Sequence, residues 1–216
     1  MENNMRLVAE VTDAGTRLDA FVSATGELTR SAAARLIEEG AITVGGKSVA
    51  KNYKLRAGDE VLLSGYIYTA RDAAHKRISE LLDRGETLPF KLDGATVYYA
   101  GPTPAREYAV IGSCGPTTSS RMDKFTPRLL SLGLTCMIGK GERSPEVCKS
   151  ICDNGAVYLC AIGGAGALIA KCIKSLEVIA FDELGCESVK RLYVENLPLI
   201  CAIDCAGNNL YKREEK

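Results

Sequence analysis

The chain is organised around residues 115–122, whose sequence is Gly-Pro-Thr-Thr-Ser-Ser-Arg-Met. Gly115-Pro116 interrupts regular structure, because proline has a fixed φ and no backbone N–H. The hydroxyl side chains that follow are typical helix caps, and an arginine beside free helix amides favours an anion. The stretch predicts either an anion-binding helix start or an ordinary capped helix with a solvated arginine, and spacing alone favours the second.

The composition is that of a globular protein without a dominant charge. Hydrophobic residues make up 46% and charged residues 25% of the 216-residue chain, and 27 basic residues balance 27 acidic ones. Any nucleic-acid binding must therefore rest on a local basic patch. No apolar run is long enough to span a bilayer, and residues 1–6 lack the apolar core of a signal peptide. We expect a cytoplasmic protein that does not enter membranes.

All nine cysteines lie in the second half of the chain, mostly within apolar stretches. Their odd number and the size of the chain argue against a disulfide framework. The pairs Cys148/Cys152 and Cys201/Cys205 lack the usual spacing of zinc knuckles, and the only histidine is His75. We expect buried free thiols and no metal ligands in this chain.

Residues 1–58 predict a small α+β unit that resembles an RNA-binding module. A short strand, two helices and a hairpin with a Gly45-Gly46 turn follow one another. This order, together with Thr-Arg-Leu-Asp at 16–19 and Val-Gly-Gly-Lys at 44–47, resembles the S4-like domain of many pseudouridine synthases. Further matching stretches are residues 29–31, 35–40 and 51–55.

The S4-like resemblance implies a basic face that contacts RNA backbone. The alternative is a solvated basic face on a docking unit. No synthase catalytic domain follows, so the modification chemistry does not carry over. The residues implied for the RNA face are Arg17, Arg30, Arg35, Lys47, Lys51 and Lys54.

Residues 59–216 alternate between strand and helix patterns, which predicts an α/β layered domain. Arg71 falls at a strand-to-helix junction, and His75 one turn later is interpreted as a structural residue. Gly139-Lys140-Gly141 follows a buried strand, where an ammonium can approach an anion. The predicted strands are 60–63, 66–69, 96–100, 136–138, 156–162, 178–180, 191–194 and 199–203, with a turn at 64–65; the predicted helices are 72–83, 145–153 and 167–175.

The second predicted unit contains five distinctive stretches: residues 62–75, 99–104, 115–123, 137–141 and 202–208. In their order and spacing these stretches resemble the β subunit, or C-terminal domain, of the class I iron–sulfur fumarases. The related L-tartrate dehydratase β subunit shares Gly-Pro-Thr-Thr-Ser and Gly-Lys-Gly, whereas Thr69-Ala70-Arg71 and Gly101-Pro102-Thr103-Pro104 are closer to fumarase.

The fumarase resemblance implies a swivelling β/β/α domain that hydrates fumarate reversibly to L-malate. It also implies a [4Fe–4S] cluster held by a partner α subunit rather than by this chain. L-tartrate is the alternative substrate, and an RNA-binding accessory role is the alternative function.

The same resemblance assigns roles to five residues. Thr117 matches the proton-transfer position and Thr118 a supporting hydroxyl contact. Arg71, Arg121 and Lys140 match positions that bind the carboxylates of the substrate, a task suited to guanidinium and ammonium groups. A threonine hydroxyl is a poor base alone, so a carboxylate of the partner must activate it.

Residues 55–61, Leu-Arg-Ala-Gly-Asp-Glu-Val, join the two predicted units. The fumarase β subunit normally has its own N-terminal segment before this point, whereas here an S4-like module takes its place. The sequence indicates a domain fusion or a chimeric gene joined at this seam.

Overall fold

The computed structural model describes residues 56–212, together with Ser31 and two short strands. Strand β1 (Thr43–Val44) pairs antiparallel with β2 (Lys47–Ser48), which confirms the predicted hairpin. Five of the six residues proposed for RNA contact lie outside the described residues, namely Arg17, Arg30, Arg35, Lys51 and Lys54. Of the sixth, Lys47, only the strand backbone is described.

Two long strands replace the pairs of shorter strands that the sequence predicts. Strand β3 (Glu60–Thr69) runs through the predicted turn at 64–65, and β8 (Val189–Ile203) is continuous across the gap between two predicted strands. The register between them shifts from Leu63/Leu197 to Gly65/Val194, which marks a β-bulge. The turn prediction is wrong because Ser64 and Gly65 lie at the bulge, where the strand continues without reversing its direction.

The strands form a five-stranded barrel-like arrangement. Strands β3, β4 (Thr96–Tyr98), β5 (Cys136–Gly139) and β6 (Val157–Cys160) are consecutive parallel neighbours. Strand β8 pairs antiparallel with β3 over residues 190–200, and its residues 200–203 pair antiparallel with β6, which closes the ring. Residues 189–194 of β8 also pair with β7 (Ile173–Ala180), which extends the sheet beyond the barrel.

Alternating side chains divide the core into two clusters. Ile138 and Leu159 belong to the cluster enclosed by the strands, whereas their neighbours Met137 and Tyr158 belong to the cluster beneath the helices. This is the two-residue period of a strand that is buried on both faces. Both faces of β4, β5 and β6 are therefore buried, and a site on these strands can lie only at their ends.

Within residues 56–212, four α-helices accompany the barrel: α1 (Asp72–Asp83), α2 (Thr126–Ser131), α3 (Pro145–Asp153) and α4 (Gly166–Cys172). Ser144 caps α3 by accepting a hydrogen bond from Val147 N at 3.3 Å. The predicted helix 167–175 is too long, because the backbone from Ile173 onward pairs with β8. Within the part of the chain described here, no helix combines the length and apolarity needed to cross a membrane.

Candidate active site

The ends of parallel strands bring the predicted residues to one edge of the barrel. Arg71 follows the end of β3, and Lys140 directly follows β5. The loop of residues 115–121 crosses between them, because Thr117 N donates to Tyr99 O at 2.7 Å and Ser119 N donates to Lys140 O at 2.9 Å. Carboxyl ends of parallel strands share one edge, which is where open α/β sheets bind ligands.

Ser119 fixes the loop onto the end of β5. Its Oγ accepts hydrogen bonds from Lys140 N at 3.0 Å and from the Tyr158 hydroxyl at 2.8 Å. A side chain at Gly139 would overlap this hydroxyl, so the close approach requires glycine. Ser119 is buried, whereas Thr117 is half-buried and Thr118 is exposed. The loop therefore anchors one hydroxyl and leaves two at the edge.

The predicted helix cap in this loop is wrong. Residues Ser119–Met122 form a single 3-10 turn, and Thr118 at its start makes no capping hydrogen bond. The following helix α2 begins only at Thr126. The hydroxyl of Ser119 is already engaged by the Gly-Lys-Gly loop, and Thr118 pairs through its backbone with Lys140. Anion binding at this position would therefore depend on side chains rather than on a helix terminus.

Two arginines meet two carboxylates at this edge. Arg121 Nε donates to Asp72 Oδ1 at 2.8 Å, and Arg71 Nη2 lies 3.3 Å from Glu187 Oε1. Among the described residues, neither Nη group of Arg121 makes a hydrogen bond. Among the described residues no carboxylate pairs with Lys140. The arrangement leaves cationic donors available for an anionic ligand.

A buried ion pair beneath the loop was not anticipated from the sequence. Arg143 has a fully buried side chain, and its Nε donates to Asp123 Oδ1 at 2.7 Å. Asp123 Oδ2 also accepts from Ser144 N at 2.6 Å. The guanidinium lies 5.3 Å and 4.9 Å from the ring centroids of Tyr99 and Tyr158. The pair ties the 115–123 loop to the 139–144 loop. Asp123 ends the stretch 115–123 and Arg143 lies two residues beyond the stretch 137–141, and this proximity was the signal in the sequence.

His75 is buried one turn beyond Arg71. Its Nδ1 lies 2.9 Å from Arg71 O, and because a carbonyl only accepts, Nδ1 carries the proton. Its Nε2 has no partner among the described residues. Burial lowers the pKa of His75 from 6.5 to about 4, so the ring is neutral near pH 7. The structural interpretation of this histidine agrees with these contacts.

The lowered pKa of His75 predicts a loss of stability in mild acid. The unfolded chain binds a proton below pH 6.5 while folded His75 stays neutral down to about pH 4. Stability should therefore fall as pH drops, by about 1.5 kcal/mol between pH 6.5 and pH 5 from this group. Urea denaturation of the wild type and of His75→Gln at both pH values measures it. An equal loss in the two proteins would contradict the assignment.

The cysteines do not form a metal site. All nine are free, and Cys114, Cys136 and Cys201 are buried. Burial raises the pKa of Cys114 and of Cys136 to about 12, so these thiols stay protonated. Within the described part of the chain, no three His, Cys, Asp or Glu side chains gather as metal ligands. Since an iron–sulfur cluster needs several adjacent thiolates, the described donors do not fit one.

Known proteins resemble this chain over most of its length. It is 43% identical over 169 residues to the putative L(+)-tartrate dehydratase subunit beta of Methanocaldococcus jannaschii, covering 76% of this chain and 87% of that protein. It is 40% identical over 158 residues to fumarate hydratase 2 of Leishmania major, covering 72% of this chain and 28% of the relative.

A second fumarate hydratase gives the same picture. The aerobic class I fumarate hydratase of Escherichia coli K12 is 39% identical over 153 residues, which is 70% of this chain and 28% of that enzyme. The chain thus spans most of the tartrate dehydratase subunit but about a quarter of each fumarate hydratase.

The model of one protein family, described as Fumarase C-terminus, matches residues 22–214. The match begins within the predicted N-terminal unit and continues across the seam at residues 55–61. Because it covers most of the chain, the chain belongs to the Fumarase C-terminus family.

Proposed function

We propose that this chain is the β subunit of a two-subunit enzyme that hydrates fumarate reversibly to L-malate. Hydro-lyase chemistry follows from its family, whose relatives include class I fumarate hydratases and a tartrate dehydratase subunit. The observation that carries the proposal is the meeting of Thr117, Arg121, Arg71 and Lys140 at one edge of the barrel.

The charges at this edge suit a dicarboxylate. Arg121 offers its Nη groups, and Lys140 has a side chain without a carboxylate partner among the described residues. Lys140 also runs beside Gly163, where a Cβ would lie 3.7 Å from its Cδ. A forked guanidinium and a mobile ammonium together can hold a planar carboxylate and adapt to its position. In this proposal Arg71, Arg121 and Lys140 bind and orient the substrate.

Thr117 is proposed to move the proton at the reacting carbon, with Thr118 as a supporting hydroxyl contact. The Thr117 backbone is fixed by its hydrogen bond to Tyr99 O at 2.7 Å, which holds the side chain at the edge. General acid–base transfer requires this kind of fixed position within reach of the substrate. A threonine hydroxyl needs an activating base, which we assign to the α subunit.

The α subunit is also proposed to hold the [4Fe–4S] cluster. The subunit name of the M. jannaschii relative supports a partner chain. The protonated, dispersed thiols described above support placing the cluster ligands outside this chain. Free thiols in this number also favour a reducing compartment such as the cytoplasm.

The finer fold assignment is part of the same proposal. We assign residues 59–216 to a swivelling β/β/α domain, supported by the five-stranded barrel with helices α1, α2 and α3 on its outer core. Residues 1–58 are assigned to an S4-like module.

Charge reversal at Arg17 and Arg35 in the full chain should weaken binding to structured RNA, and this binding should fall steeply with salt. Absence of binding at low salt would contradict the RNA role.

Anaerobic reconstitution tests the enzymatic proposal. Co-expression with an α subunit should give fumarate hydration, whereas the purified chain alone should be inactive. Hydration by the chain alone, without added iron, would disprove the proposal. L-tartrate is the second candidate because this chain spans 87% of the dehydratase subunit but 28% of each of the two fumarate hydratases. The ratio of kcat/KM for the two substrates on the reconstituted complex decides between them.

Replacement of Arg121 by alanine should raise KM with little change in kcat. A charge-assisted contact contributes about 1.5–3 kcal/mol, which corresponds to a KM increase of about 10–150-fold if it is equal in the ground and transition states. Arg128→Ala is the matched control, because Arg128 pairs with Asp83 on an exposed surface away from the loop. A lowered kcat with unchanged KM would show that Arg121 acts only in the transition state.

A further inference from the structure

Glu187 reaches the site from a segment that belongs to none of the quoted motifs. It ends the 3-10 segment Asp182–Glu187, just before β8. Its Oε1 lies 3.3 Å from Arg71 Nη2, and its Oε2 accepts a hydrogen bond from Ala73 N at 3.1 Å. One carboxylate therefore holds both a guanidinium and the first turn of α1.

The contacts continue as a row of alternating charges. Asp72, the first residue of α1, lies between the two arginines: its Oδ1 accepts from Arg121 Nε at 2.8 Å, and its Oδ2 is 4.0 Å from Arg71 Nε. The order is thus Glu187, Arg71, Asp72 and Arg121. Charge-assisted contacts to a planar guanidinium are directional. The carboxylate of Glu187, at the end of the row, therefore restricts the orientation of the Arg71 side chain.

The segment that carries Glu187 is itself anchored. Lys190 is buried, and its Nζ donates to Gly185 O at 2.9 Å and to Ser188 Oγ at 2.6 Å. Gly101 lies against both Arg71 and this segment, because a Cβ added there would lie only 2.9 Å from Arg71 Nη1 and 3.2 Å from Cys186 O. The Arg71 guanidinium is therefore closely packed between Gly101 and the ion pair with Glu187.

We infer that Glu187 is a positioning residue that holds Arg71 in the direction needed to meet a substrate carboxylate. The inference rests on the proposed function for its catalytic consequence, but not for the contact itself. A carboxylate near a dianion site also repels the substrate. If Glu187 contributed only charge, its removal would lower KM, whereas loss of positioning raises KM.

Glu187→Gln in the full chain, assembled with the α subunit, separates these effects. The amide oxygen of glutamine can still accept from Ala73 N, so Tm should stay unchanged. The Arg71 ion pair is lost, so KM for fumarate should rise about tenfold with kcat nearly unchanged. Glu183→Gln is the matched control, because Glu183 lies in the same segment but pairs with Arg77 at 3.1 Å. Its KM should equal that of the wild type.

Arginine labelling gives a readout that does not need activity. An arginine-specific dicarbonyl reagent on the full chain, followed by peptide mass spectrometry, should modify Arg71 several-fold faster in Glu187→Gln. Exposed Arg106 should react at the same rate in both proteins. An unchanged or lowered KM, or an unchanged Arg71 labelling rate, overturns the inference. If the wild-type complex does not hydrate fumarate, the proposed function fails, and labelling alone then decides the positioning.

Discussion

Thr117→Val should lower kcat by roughly 10²–10⁴-fold with little change in KM, the usual contribution of a positioned proton-transfer group. Valine keeps the shape of the side chain but removes its hydroxyl. The backbone contact from Thr117 N to Tyr99 O does not involve the side chain, so the loop should keep its position. Steady-state kinetics of the reconstituted complex measure the effect.

A thermal melt of the same variant tests the structural alternative. If Thr117 served only as a helix cap, its loss would cost about 0.5–2 kcal/mol of stability and leave kcat nearly intact. In the structure the neighbouring Thr118 makes no capping hydrogen bond to the 3-10 turn. Thr135→Val is a suitable control, because Thr135 lies outside the loop. Its hydroxyl donates a hydrogen bond of 3.2 Å to Ala95 O. Equal losses of kcat in both variants would contradict a specific role for Thr117.

Arg143→Leu should destabilise the folded chain by about 3–5 kcal/mol, the usual result of removing one partner of a buried ion pair. Its side chain is fully buried, and Asp123 would keep a charge beneath the loop with only Ser144 N as a donor. The variant also lacks the hydrogen bond of 2.8 Å that Arg143 Nη2 donates to Thr126 Oγ1. The free energy of unfolding from urea denaturation measures the loss.

Two further variants test the cause of that loss. Arg191→Leu removes a surface pair with Glu177, both partners being about half exposed, and should cost less than about 1 kcal/mol. Combining Arg143→Leu with Asp123→Leu removes the stranded carboxylate and should recover part of the stability. A loss below about 1 kcal/mol in Arg143→Leu, or no recovery in the double variant, would show that the pair does not hold the loops together.

The sequence by itself predicted most of the local elements and supplied the candidate residues of the site. Helix 145–153 and the strand ending near Gly139 agree with the structure, because glycine, proline and capping side chains act on their nearest neighbours. The five candidate site residues were named from motifs that resemble those of the fumarases, and the structure brings them to one barrel edge. Their individual roles stay predictions until the variants are measured.

Only the tertiary structure decided which residues that are far apart in the sequence contact one another. The bulge that joins residues 60–69 into one strand arises from pairing with β8, more than a hundred residues later. The hydroxyls after Pro116 do not cap a helix, because Ser119 Oγ is held by Lys140 N and Tyr158. Glu187 meets Arg71 across 116 positions, and Arg143 meets Asp123 across 20. Periodicity and turn chemistry describe only neighbours along the chain, whereas these contacts depend on burial and charge pairing between strands that meet only when the barrel closes.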